Sequence, residues 1–175
     1  MKTQLTRVAM LLAFLTLFSN CKKPTQFKEV QIGDLFTMQV PAYMSAAAGE
    51  VPFRVAMNYT SDSAATFLMV MDTLRKGMNE NTLRMYYDSM VSQPFIDSAK
   101  INPPTLVKLN TDSAFTSEMT GSVNGVKVFY EMEAIATPER YFMVLTWGKQ
   151  EKMESLKLDM LKMLTSFRDI SHKKI

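Results

Sequence analysis

The chain has 175 residues, 20 Lys plus Arg against 17 Asp plus Glu, and 47% apolar against 21% charged residues. That length suits one domain with a sizeable core, and the composition excludes a disordered polyelectrolyte and a polytopic membrane protein. One Cys and one His exclude a disulfide framework and most His/Cys metal sites.

The first twenty residues read as an address. Lys2 and Arg7 make a basic start, a mostly aliphatic run follows from Val8 to Phe18, and Ser19-Asn20 turns the chain polar. As a helix that run spans roughly 16 Å, about half a hydrocarbon core, which makes it a signal-peptide segment and not a membrane span.

Cys21 follows directly, and Phe18-Ser19-Asn20-Cys21 resembles the lipobox of bacterial lipoproteins. The family usually has Leu and a small residue where Phe18 and Asn20 stand. The resemblance implies a signal peptide at 1–20 and a lipidated tether at 21–27, with Cys21 as the acylated N-terminus that holds the protein on a membrane. Each buried methylene of such a chain is worth about 0.8 kcal/mol. In such lipoproteins an Asp after the Cys often marks inner-membrane retention, so with Lys22 in that place the resemblance implies the outer membrane. The absence of acidic residues in Lys22–Gln26 favours its periplasmic face over surface export. Removing residues 1–20 leaves 18 basic and 17 acidic side chains, so the basic excess gives no ground for an anionic partner.

The mature chain alternates between two periods. Phe36, Met38 and Val40 mark a half-buried strand ended by Pro41, and Val55, Met57 and Tyr59 a second one. Thr66–Met71 is apolar at nearly every position, as in a strand covered on both faces. Leu83, Tyr86, Tyr87, Met90 and Val91 then fall on one face of a helix over 79–92, with Asn79 or Asn81 as cap and Pro94 after its end. Residues 95–104 read as a connector.

Phe115–Ala136 is a hairpin around Asn124-Gly125, a pair suited to a turn with two positive φ angles. That turn pairs Met119 with Tyr130, Ser117 with Met132 and Phe115 with Ala134 on one face. On the other, Glu118 faces Glu131 and Thr116 faces Glu133. An apolar strand at Tyr141–Trp147 and an amphipathic helix at Lys149–Phe167 follow. The helix stripe holds Met153, Leu156, Met160, Leu161, Leu164 and Phe167. A polar tail occupies 171–175. The expected class is α+β, an antiparallel sheet flanked by helices.

Two segments carry a family resemblance. Phe36-Thr37-Met38-Gln39-Val40-Pro41-Ala42-Tyr43 resembles the opening of PsbP-like and DcrB-like domains, and the strand with Tyr141-Phe142-Met143-Val144 before a helix closing on Thr165-Ser166-Phe167 resembles their ending. The similarity covers roughly residues 28–170 in element order. It implies an α/β/α sandwich and an accessory, assembly or binding role, with no catalytic residue carried over.

Candidate chemistry is sparse. His172, in the tail, lacks the orienting carboxylate and held geometry of a catalytic His. The 16 Met residues raise Cu(I) binding, but Met38, Met57, Met69, Met119, Met132, Met143 and Met160 fall on apolar faces, where Met packs cores. No cofactor or metal is expected. Glu118, Glu131 and Glu133 share a hairpin face, expected to be solvated or covered by a helix with Lys127 or Lys108 nearby. Asp-Ser/Thr followed by a small or aliphatic residue recurs at Asp62, Asp72, Asp88, Asp97 and Asp112. The pattern resembles the O-glycosylation acceptor of Bacteroidota-like envelope proteins, which implies Ser63, Ser98 and Ser113 as acceptors in accessible loops. The scattered Lys and Arg residues give nucleic-acid binding no support. The expected function is a non-catalytic envelope lipoprotein that serves as accessory or binding module for another envelope protein. The alternative is a periplasmic carrier of a small apolar ligand, and an enzyme without a recognisable motif ranks behind both.

Overall fold

The computed structural model describes residues 24–47, 55–75, 82–92 and 97–171. The signal segment, Cys21 and His172 lie outside these residues, as do Asn79, Asn81 and Pro94. Among the described residues no helix is long and apolar enough to cross a membrane.

Eleven strands and two helices are described: β1 (Phe27–Ile32), β2 (Phe36–Pro41), β3 (Ser45–Ala46), β4 (Val55–Ser61), β5 (Thr66–Leu74), α1 (Leu83–Val91), β6 (Asp97–Ile101), β7 (Thr105–Leu109), β8 (Asp112–Val123), β9 (Val126–Ala136), β10 (Arg140–Lys149), α2 (Met153–Thr165) and β11 (Arg168–Asp169). The main antiparallel sheet runs β3-β4-β5-β10-β9-β8-β6, with β7 also on β8, and a small sheet runs β1-β2-β11.

The alternation of side chains along β5, β9 and β10 sends apolar residues to both faces, and each face has its own cover. Tyr86 and Tyr87 of α1 pack on Met71, Ala134, Tyr141 and Met143. On the opposite face, α2 and the small sheet enclose Leu68, Val70, Ile135, Phe142 and Val144 with Met160, Met163, Leu164 and Phe36. Phe36, Phe142 and Phe167 join the small sheet, the main sheet and the end of α2, with ring centroids 5.0–5.5 Å apart. The result is a helix–sheet–helix sandwich with the small sheet beside α2.

The hairpin keeps the expected register, from Phe115 opposite Ala134 to Met119 opposite Tyr130. Asn124 and Gly125 both take positive φ, +51° and +78°. The methionines named above are buried or half-buried, as core packing requires.

Four expectations are corrected. The connector at 95–104 contains strand β6, whose exposed edge and register shift between Asp97 and Lys100 erase the period-2 signal. A second shift, between Val55 and Met57, turns Val55 toward the α1 side while Met57 and Tyr59 face α2, so these three do not share a face. The first helix starts later than expected, capped by the Thr82 hydroxyl, which accepts from the Met85 amide at 3.3 Å. In α2, Met163 is fully buried where Leu161 is only half-buried, and the chain up to Lys149 still belongs to β10.

Candidate functional site

Glu118, Glu131 and Glu133 come together as the hairpin register requires, and the cover over them is α2. Lys157, one turn into that helix, pairs with Glu118 and reaches Glu131 at 3.7 Å. The cation is therefore neither Lys127 nor Lys108; Lys108 instead donates to Ser113 Oγ at 3.1 Å.

Glu131 and Glu133 are each only 3% exposed. Burial pushes the Glu131 carboxyl up to about 7, and the Glu118 carboxylate adds to the rise while Lys157 opposes it. Burial alone pushes Glu133 up to about 7, and its Oε2 is buried without a hydrogen-bond partner. The hydrogen bond to Glu118 is the main reason that the Lys157 ammonium is held above its ordinary range. Glu131 and Glu133 thus titrate near neutral pH beneath α2, while Glu118 and Lys157 sit at the edge of the cluster, partly exposed.

An accessible concavity lies elsewhere among the described residues. A groove of about 790 Å³ opens between the small sheet and the β7–β8 turn, lined by Glu29, Gln31 and Gln39 on one side, Asn110, Thr111 and Asp112 on another, and Ser166 and Arg168 beyond the end of α2. Local geometry fixes this rim. Asn110 sits at φ +54°, and its side-chain amide donates to the Phe167 carbonyl at 3.0 Å. The Ser166 hydroxyl donates to the Met163 carbonyl at 2.7 Å and accepts from the Gln39 amide at 2.8 Å. The lining brings the carboxylates of Glu29, Asp34, Asp112 and Asp169, the last three with partners of their own, beside the guanidinium of Arg168. It offers hydrogen bonds and charge to a polar or basic group, and its exposed lining is more polar than apolar.

The three serines singled out by the repeated Asp-Ser pattern are scattered. Ser63 is exposed in the β4–β5 turn. Ser98 is exposed but lies in β6, at φ +56°. Ser113 is half-buried in β8, so neither Ser98 nor Ser113 occupies a loop. Sequence reasoning missed the groove because its lining comes from segments more than fifty residues apart, with no local motif among them.

No family model matches the chain, and no curated protein matches it in sequence. The likeness is in the solved structures. The solution structure of cyanobacterial PsbP (CyanoP) from Synechocystis sp. PCC 6803 matches with a TM-score of 0.60 at 10% identity, covering 87% of this chain and 99% of that one. The fold is PsbP-like. LpqN of Mycobacterium tuberculosis superposes with a TM-score of 0.61 at 10% identity over 85% of this chain and 92% of its own. A protein of Bacteroides thetaiotaomicron VPI-5482 does so with 0.58 at 11% identity; there the match covers 85% of this chain and half of the other.

Proposed function

We propose that this protein is a non-catalytic accessory lipoprotein of the cell envelope, held on the periplasmic face of the outer membrane through Cys21, whose polar groove receives a segment of another envelope protein. The groove carries this reading. It is an open concavity among the described residues, and its mainly polar lining suits a polar or basic peptide better than an apolar ligand. LpqN, which has the same fold, is described as involved in cell envelope biogenesis, and that supports the envelope setting. The polar lining and the close packing around Gly148, where an added Cβ would lie 3.1–3.3 Å from its neighbours, weigh against the carrier of apolar molecules. Exposed Ser63 and Ser98 are the acceptors this setting offers for O-glycosylation, with half-buried Ser113 the less accessible.

Mass spectrometry of the mature N-terminal peptide tests the anchor. An acylated Cys21, whose maturation is blocked by globomycin, is the expected result, and an unmodified Cys21 overturns the reading. A whole-protein mass equal to polypeptide plus lipid removes the glycan.

A further inference from the structure

We propose that the folded domain rests directly on the lipid surface through the flank of α2 that carries Leu158 and Lys162, an orientation imposed by the tether. This rests on the acylation of Cys21. The start of the described chain is already part of the fold. The Thr25 hydroxyl donates to Asp159 Oδ2 at 2.9 Å, and the Tyr43 hydroxyl donates to the same oxygen at 2.9 Å. The Gln26 carbonyl accepts from the Ala42 amide at 2.8 Å. The Phe27 ring lies under Lys162 Nζ, 4.0 Å from its centroid, and opens β1. Between Cys21 and Thr25 the sequence leaves Lys22, Lys23 and Pro24.

Covalent geometry sets the consequence. Four Cα–Cα steps from Cys21 to Thr25 reach at most about 14 Å. Roughly 6 Å of that is needed to cross the headgroup layer. The remaining gap is smaller than the roughly 10 Å diameter of one helix, so no protein layer fits between the Thr25 flank and the lipid. The surface presented there suits an interface. Leu158 is 78% exposed, the most of any large apolar side chain among the described residues, and Lys162 lies one turn further on the same stripe. Tyr43 on this flank is 39% exposed, with its hydroxyl tied to Asp159. Lys22 and Lys23 add charge that favours anionic headgroups. Glu154, one turn before Leu158, and Asp159 beside it are the opposing acids. Lipid contact here follows from the short tether and not from a strong affinity of the flank itself. β1 then carries the chain away from the tether, so Gln31 and the groove lie up to roughly 20 Å further along the strand.

The test uses the lipidated full-length protein, purified from the envelope and reconstituted in vesicles of phosphatidylethanolamine and phosphatidylglycerol doped with nitroxide-labelled lipid. A fluorophore is placed at Leu158→Cys or, as control, at Met85→Cys, which is 51% exposed on α1 across the sheet. The expected result is quenching at 158 at least about threefold that at 85, since quenching needs headgroup-level contact and a sheet separates the two sites. Equal quenching at both sites, or none at either in protein that floats with the vesicles, overturns the orientation alone. Protein that does not float refutes the acylation of Cys21 and the orientation with it.

Discussion

Replacing Glu133 by Gln should stabilise the protein in a way that depends on pH. Glu133 is 3% exposed, its Oε2 has no hydrogen-bond partner, and burial raises its carboxyl from the ordinary 4.5 to about 7. Between those values the native state holds a proton that the unfolded chain has released. Stability therefore falls as pH rises from 4.5 to about 7, and above that the full penalty remains. A rise of this size corresponds to about 3 kcal/mol. Gln keeps the shape and is neutral at every pH, so Glu133→Gln should gain about 3 kcal/mol at pH 8, less whatever its unpartnered amide costs, and almost nothing at pH 4.5. Urea denaturation at both pH values measures this directly. With a slope of about 2 kcal/mol/M, the midpoint at pH 8 should move up by roughly 1 M or more with the slope unchanged. Equal midpoints at pH 8, or an equally large gain at pH 4.5, would show that Glu133 is not held as a buried, neutral acid.

Other perturbations probe the same architecture. Lys157→Met leaves Glu131 buried without its cation and should cost about 1–2 kcal/mol at pH 8, the value reduced because Lys157 is a third exposed. At pH 5 the loss should shrink, because Glu131 then carries a proton; a loss independent of pH in urea melts would count against that pairing. Gly148→Ala drives a methyl to within 3.1 Å of the Ala65 carbonyl oxygen and 3.2 Å of Leu156 Cδ1, and thermal melts should show a loss of about 1–3 kcal/mol. Tyr87→Phe removes the 2.6 Å hydroxyl contact to buried Ser117 and should cost about 1–2 kcal/mol, read by chemical denaturation. Gly125→Val places a β-branched residue at φ +78° and should destabilise the hairpin by roughly 1–2 kcal/mol.

Where local chemistry determines geometry, the sequence is readable. Asn124-Gly125 imposes one turn, the turn imposes the register, and the register brings Glu118, Glu131 and Glu133 to one face. Nothing local says which element covers that face, and so Lys157, 26 residues beyond Glu131 in the chain, was not legible. Bulges hide strands for a related reason. The shift before Met57 moves Val55 to the other face, and the left-handed Ser98 breaks the alternation of β6. The groove and the docked tether are tertiary events. Thr25 and Asp159 are separated by 134 positions, and a threonine after a lipobox carries no mark of its distant partner.

The groove's role as a contact site for an envelope protein is the decisive point. Photo-crosslinking in intact cells from a reactive residue at Gln31 or Thr111, with Met85 as control, tests it most directly. The predicted result is one discrete adduct to the same envelope protein from both groove positions, absent from position 85 and lost when Glu29→Lys reverses the charge of a groove carboxylate. Adducts that are absent, or that form equally well from position 85 and survive the charge reversal, would contradict the proposed role.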